Sequence, residues 1–272
     1  MFTSVRVFPG ITHITDAMGV SFTLIEGAEY SILFDTGYGL ENTASYVSTL
    51  TSKPLKVLLS HGHHDHVLGA RWFSETYLAE EDLEEFRERT GLIQRKKVTE
   101  QAKGKNVKVP DDYLKARIQT PKAIIFPDCT DGFSSVTERP GNLTVRVIRI
   151  PGHTPGSIVI HIPEYHLLLT GDNWNPCTWM WFPTSLPACI WRNNMLRLIK
   201  FIEKNRDDEI DLVLCSHQPN MRTGKELKAF LEFMTDERIA SAPAVDMGAP
   251  INTHMIHKNT EDWTLIFDMD KV

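Results

Sequence analysis

The 272-residue sequence has only four cysteines, Cys129, Cys177, Cys189 and Cys215, and none stands at the short paired spacing of a zinc knuckle or a disulfide framework. Buried free thiols are expected, Cys215 in its apolar context above all. A basic surplus is also lacking: 29 Lys and Arg against 35 Asp and Glu leave a formal net charge of -6, which gives no global field for holding a polyanion. Nucleic acid is therefore not an expected partner. No apolar run is long enough to span a bilayer, and the first residues, MFTSVRVFPGITHIT, have no basic start followed by an apolar segment. A cytoplasmic protein without a membrane partner is the expectation. Short-period repeats and low-complexity tracts are absent too, which argues against solenoids and disordered arrays. What is present, 42% hydrophobic and 24% charged residues, is the make-up of a globular chain with a substantial core.

Short strands are expected at Thr3–Val7, Ile11–Thr15, Ser21–Glu26, Tyr30–Phe34 and Lys56–Leu59, with a helix in LENTASYVSTL. A charged region at about 80–122 follows, opening on the helical pattern AEEDLEEFRERTG, and reads as a helical insertion riding over a core. Strands return at Leu143–Ile150, Ser157–Ile162 and His166–Thr170. A helix is expected over about Leu186–Lys204, a strand in IDLVLCS, one helix in GKELKAFLEFMTDERIA and a final strand in WTLIFDMD. Alternating strands and helices predict an α/β (α+β) chain with helix-covered sheets. The whole chain, 1–272, reads as a single domain.

The stretch SHGHHDHVLGA places His61, His63, His64, Asp65 and His66 together after an apolar strand. If the chain stays extended, His61 and His63 share one side and His64 lies on the other. If it then turns into a helix, Asp65 and His66 point to a second position. That spacing suits two metal ions better than one, and each divalent ion wants about four ligands. The remaining ligands are expected at other strand ends, and His153 in IPGHTPGS, Asp172 in LLLTGDN and His217 in LVLCSHQP all stand there.

These motifs together resemble those of the metallo-β-lactamase-fold superfamily of metallohydrolases. HGHHDH matches the family's HxHxDH, PGHTPGS its GHTPG loop, LLLTGD its strand-end aspartate, SHQ its last histidine and FDTG, Phe34 to Gly37, a further motif. The resemblance implies a four-layer αββα sandwich. It also implies that His61, His63 and His153 bind a first metal and Asp65, His66 and His217 a second, with Asp172 bridging. Asp35 is implied to hydrogen-bond to the site and steady it. Imidazole and carboxylate ligands suit zinc, and iron or manganese accept similar sets.

Two such cations can share a water and lower its pKa to roughly 7, giving a hydroxide that attacks a carbonyl carbon while a metal steadies the oxyanion. Asp65 is placed to orient that nucleophile or handle a proton. The expected activity is hydrolysis of a small ester, thioester, lactone or amide; a phosphodiesterase or nuclease, and a non-hydrolytic iron oxidoreductase, are the alternatives. NWNPCTWMWFPTSLPACIW supplies Trp174, Trp179, Trp181, Phe182 and Trp191 as a candidate aromatic wall for a small-molecule substrate, with prolines that argue against regular structure before the following helix. His254 and His257 are expected at the surface. Asp172 stands where zinc β-lactamases carry Cys or Ser. The helical tail of glyoxalase II proteins has no evident equivalent, and Asn173, Trp174 and Asn175 replace the tyrosine that related lactonases place after the bridging aspartate. Flavodiiron oxidoreductases carry Glu where this chain has His63.

Overall fold

The first 34 residues are short β-branched and apolar runs broken by glycines, and in the computed structural model they form an antiparallel meander. The structure describes residues 1–129, 133–204 and 209–272. Thr3–Phe8 (β1), Ile11–Thr15 (β2), Ser21–Glu26 (β3) and Ser31–Phe34 (β4) pair in sequence order. Gly10 makes the first turn at φ 78°, where a Cβ would lie 2.7 Å from the Glu26 carbonyl oxygen, so glycine is required.

From β4 onward the pairing becomes parallel, through Leu55–Leu58 (β5), Tyr77–Ala79 (β6) and Lys122–Ile124 (β7), and each parallel step needs a crossover. Helix Thr43–Ser48 (α1), capped by the Asn42 side chain accepting from Ser45 N–H, lies in the first. His64–Val67 (α2) and a 3-10 turn at Leu68–Trp72 form the second. The third holds helices Leu83–Arg89 (α3) and Leu92–Gly104 (α4), so the charged region at 80–122 is the crossover from β6 to β7. Strand β5 ends at Leu58, and His61 stands in a bend, so strand alternation is not what pairs it with His63. The turn into α2 does that.

The chain forms two compact units. The first comprises Met1–Ile125, Thr137–Val145 and Ser216–Gln218. Its core joins Ile14, Phe22, Leu24, Leu33 and Val57 of the sheet to Val47 of α1, Val67 of α2 and Phe86 of α3.

The second unit comprises Phe126–Val136, Arg146–Cys215 and Pro219–Val272. The chain continues through Ser135–Glu138 (β8), Val145–Arg149 (β9), Ile158–Ile162 (β10), Leu167–Gly171 (β11), Cys177–Met180 (β12), Ala188–Ile202 (α5), Leu212–Cys215 (β13) and Met221–Thr223 (β14). A six-stranded sheet has the order β14-β13-β11-β10-β9-β8. Cysteine 215 is buried among Val213, Leu227 and Phe230 in the large core of this unit.

Two expectations change here, and one segment read only as surface proves to be a strand. GKELKAFLEFMTDERIA forms two helices, Gly224–Phe233 (α6) and Asp236–Ala240 (α7), because Thr235 stops one and caps the next by accepting from Arg238 N–H. THMIHKN is a strand, Thr253–Lys258 (β15), paired with Trp263–Asp268 (β16); His257 Nδ1 meets Thr264 Oγ1 at 2.8 Å and His254 Nδ1 the Ala242 carbonyl at 2.6 Å. The aromatic stretch before α5, expected to be irregular, contains β12, which runs parallel beside β16. Its alternation of exposed Cys177 and Trp179 with buried Thr178 and Met180 is the period-two signal that the surrounding prolines mask. No helix among the described residues is long and apolar enough to cross a membrane.

Candidate metal centre

In the first unit, His61, His63, Asp65 and His66 occupy the bend after β5 and the start of α2, and His217 joins them through a bridge to Val20. The His61 and His63 rings are 4.7 Å apart, and the His61 and His66 rings 4.2 Å. Asp65 Oδ2 lies 3.6 Å from His66 Nε2 and 3.5 Å from His217 Nε2. His61, His63, Asp65 and His66 are buried, whereas the His217 side chain is 38% exposed.

A single carboxylate organises two of these rings. Asp35, at φ 70° in the FDTG turn, is buried and accepts from Ser60 N–H at 2.6 Å and Ser60 Oγ at 2.7 Å. Its Oδ2 also meets His66 Nδ1 at 2.9 Å. A carboxylate only accepts, so His66 carries its proton on Nδ1. Ser60 spends its hydroxyl proton on Asp35 and therefore accepts, across 2.9 Å, from His61 Nδ1. Both rings thereby carry their proton on Nδ1, and Nε2 is the unprotonated nitrogen that can accept a metal. The turn is held in place by Thr36, whose N–H and Oγ1 both donate to the His66 carbonyl, at 3.0 and 2.7 Å.

In the second unit, His153 follows β9 and Asp172 directly follows β11, with His153 Nε2 and Asp172 Oδ2 3.6 Å apart. His153 Nδ1 donates to the Trp179 carbonyl at 2.8 Å, so this ring too carries its proton on Nδ1 and leaves Nε2 unprotonated. Asn173 ties the GHTPG loop to the strand end: its Oδ1 accepts from His153 N–H, its Nδ2 donates to the Ile150 carbonyl, and its own carbonyl accepts from Trp191 Nε1. Asn175 Nδ2 donates to Asp172 Oδ1 at 3.1 Å. Gly152 is required here, because a Cβ would lie 2.7 Å from Trp191 and 2.8 Å from Asn173.

The five aromatic candidates divide. Trp174 and Trp191 are fully buried in the core of the second unit, so they are not pocket walls. Trp179, 40% exposed, continues into Trp181 and Phe182, with Trp181 and Phe182 stacked at 5.1 Å. Phe182 meets the His153 ring edge-on at 5.3 Å. His64, expected to lie on the other side of the chain from His61 and His63, has its ring edge-on to Tyr38 at 5.6 Å, and burial lowers its pKa.

Sequence reasoning missed Ser60, Glu85 and Asn173, together with the Trp179 carbonyl. Glu85 on α3 is buried, with Oε1 3.3 Å from His63 Nε2 and 2.6 Å from Arg89 Nε. Burial alone would raise its pKa, but the His63 and Arg89 contacts outweigh burial and hold it down to about 2. Only the acidic start of a helix was visible in the sequence, with nothing to mark which carboxylate turns inward. The imidazoles and carboxylates so arranged suit a divalent metal.

The chain resembles a stereoselective inverting sec-alkylsulfatase from Pseudomonas sp. at 17% identity and TM-score 0.63, over 89% of this chain and 42% of that one. The chain thus spans about two fifths of the length of the alkylsulfatase structures it matches. It also resembles the mono-zinc form of the metallo-β-lactamase FIM-1 from Pseudomonas aeruginosa, at 18% identity and TM-score 0.58 over 87% of this chain and 95% of that one. A metallo-β-lactamase from Pontibacter korlensis aligns at 16% identity and TM-score 0.58, over 87% of this chain and all of that one. At these identities the likeness is one of fold. No curated protein matches. The family model of the metallo-beta-lactamase superfamily matches residues 15–217, a span that holds FDTG, HGHHDH, GHTPG, TGD and the last histidine. By that match the chain belongs to the metallo-β-lactamase superfamily.

Proposed function

We propose that the protein is a two-zinc hydrolase of a small ester, thioester, lactone or amide. His61, His63 and His153 hold one ion, Asp65, His66 and His217 the other, and Asp172 is shared. The observation that carries this reading is the locking of three imidazoles: Nδ1 of His61, His66 and His153 is engaged by Ser60, Asp35 and the Trp179 carbonyl, so Nε2 is the ligating nitrogen in each. Bound there, the ions supply Lewis acidity and bring the pKa of water to roughly 7.

The chain's own residues do the rest. Asp65 faces His66 and His217 through Oδ2, with Oδ1 3.8 Å from His64 Nδ1, so the carboxylate can take up a proton and return it to the leaving group. Trp179, Trp181 and Phe182 offer an apolar, partly exposed surface beside His153 for the acyl part of the substrate. A cysteine nucleophile is excluded at Cys215, whose thiol burial pushes up to about 12. Asp172, in place of the Cys or Ser of zinc β-lactamases, disfavours β-lactams.

The test is metal analysis with a panel of chromogenic ester, thioester, lactone, amide, β-lactam and phosphodiester substrates, run on wild type and Asp172→Ala. Two zinc per chain, with acyl hydrolysis lost in Asp172→Ala, is the expected result. One iron per chain, no metal, or equal activity in both proteins would overturn the proposal.

A further inference from the structure

The segment between β12 and α5, residues 181–187, reads WFPTSLP, and its two prolines leave it short of backbone donors. It nevertheless wraps His153. Phe182 meets the His153 ring edge-on at 5.3 Å, Ser185 Oγ donates to the His153 carbonyl at 2.8 Å, and Leu186 N–H donates to the Gly152 carbonyl at 2.9 Å. A single ammonium gathers the rest of the segment. Lys271 Nζ donates to the carbonyls of Phe182, Pro183 and Ser185 at 2.7, 2.8 and 3.0 Å, three bonds that match its three donors. The register of the sheet explains how so distant a residue reaches the loop. β12 and β16 run parallel with Met180 opposite Phe267, so both chains leave the sheet at the same end, side by side. The 3-10 turn Met269–Lys271 that carries the lysine is itself fixed: Met269 N–H donates to the Asn252 carbonyl at 2.9 Å, and Asn252 Nδ2 to Asp270 Oδ1 at 2.7 Å.

We propose that Lys271 is a positioning residue for substrate: its ammonium clamps the 182–185 turn so that Phe182, with Trp181 stacked on it, stands beside His153 as a fixed apolar surface for an aryl or alkyl group of the substrate. This rests on the acyl-hydrolase reading above. The physical reason is preorganisation. A loop that orders only when substrate arrives loses its conformational freedom at that moment, and the loss is subtracted from affinity; a loop already held does not suffer it. A neutral side chain cannot replace the ammonium, because three converging carbonyls need three donors at one point, and bonds from a charged donor are roughly twice as strong as neutral ones. The clamp stops short of the His153 ring. His153 Nδ1 is held by the Trp179 carbonyl, which lies inside β12 and is fixed by pairing with β16. Lys271 therefore acts on substrate affinity and not on the orientation of that imidazole.

Hydrogen–deuterium exchange read by mass spectrometry tests the clamp, and steady-state kinetics on an aryl ester test its consequence, on the full chain as wild type, Lys271→Met and Lys271→Arg. In Lys271→Met, exchange over residues 181–186 is expected to quicken by about tenfold, the scale of one lost hydrogen bond to a charged group, while β9, β12 and α5 exchange as in wild type. KM should rise several-fold with kcat and zinc content little changed. Lys271→Arg, which keeps the charge but spreads its donors in a plane, should lie between the two. Unchanged exchange over 181–186 in Lys271→Met overturns the clamp. So does faster exchange across the whole second unit, or loss of the fold in Lys271→Met, because either makes Lys271 a general prop. Faster loop exchange with an unchanged KM overturns its role toward substrate. If wild type hydrolyses no ester, thioester, lactone or amide, the acyl-hydrolase reading fails and the substrate role with it, whereas the exchange data still decide whether Lys271 holds the turn.

Discussion

The SHGHHDH bend and the GHTPG loop hold their histidines by different means. In the bend, His61 and His66 are oriented by side chains, Ser60 and Asp35, and His63 is faced by Glu85. In the GHTPG loop, His153 is oriented by the main-chain carbonyl of Trp179, and Asn173 holds the loop itself. Side-chain support concentrates the orientation of several rings in a few substitutable residues. Main-chain support cannot be deleted by substitution; it fails only when the strand that carries it shifts. β12 resists such a shift because it pairs with β16 along its whole length. Substitutions near the two loops should therefore fail differently, one in metal binding with the fold intact, the other in stability.

The strongest break of that contrast is Asp35→Asn. Asparagine tolerates the positive φ, so the turn survives, but an amide nitrogen in the place of Oδ2 accepts neither from Ser60 Oγ nor from His66 Nδ1. If the proposed zinc site is right, zinc affinity measured by chelator competition should fall by about 100-fold, the upper end for loss of a residue supporting a ligand, because two rings lose their orientation together. The midpoint of thermal unfolding of the metal-free protein should change far less. Asn173→Ala is the counterpart on the other loop. It removes one acceptor and one donor from buried backbone partners, His153 N–H and the Ile150 carbonyl. A loss of about 1–3 kcal/mol in denaturant unfolding of the metal-free protein is expected. If Asn173→Ala leaves stability intact, or Asp35→Asn lowers stability more than metal affinity, the distinction between the loops is wrong.

The same distinction decides what the sequence could reveal. The proposed ligands were legible because each is a rare residue type at a strand end beside a breaker, and local strings such as HGHHDH and PGHTPG carry that pattern. Asp35 was legible as part of FDTG. Glu85 was not, because EEDLEEFRER offers many equivalent carboxylates and only the packing of α3 on Gly62 selects one. The Trp179 carbonyl was invisible in principle, since every residue has one. β12 hid behind Pro176 and Pro183, and Trp174 and Trp191 read like the exposed Trp179 until the chain direction sent them into the core. Most of the longer strands were readable, but β6, β7 and β12 were not, and neither was the crossover that brings α3 against the histidine bend, because it is set by parallel pairing of β6 with β7, distant in the chain.

Trp179 separates side chain from main chain at a single position. Trp179→Ala keeps the carbonyl that holds His153 and removes an exposed ring from the group formed with Trp181 and Phe182. Zinc content should be unchanged, whereas KM for an aryl ester should rise several-fold with little change in kcat, as expected when ground-state and transition-state binding weaken equally. A loss of zinc in Trp179→Ala would mean that the ring, and not the strand pairing, places the carbonyl.

The smallest effect is expected inside the histidine bend itself, at His64. Its ring lies against Tyr38, and Nδ1 is 3.8 Å from Asp65 Oδ1, too long for a direct hydrogen bond. It begins α2 and belongs to neither group of close-set nitrogen and carboxylate atoms that His61, His63 and His66 help to form. His64→Gln should therefore leave zinc content and thermal stability within error of wild type, while substitution of Asp65 or His66 on either side should not. That sharp change over adjacent positions is the mark of a bend whose ligands are chosen by the turn into α2. If His64→Gln released zinc, the bend would be acting as a bulk histidine patch, and the positional assignments of His61, His63 and His66 would lose their basis.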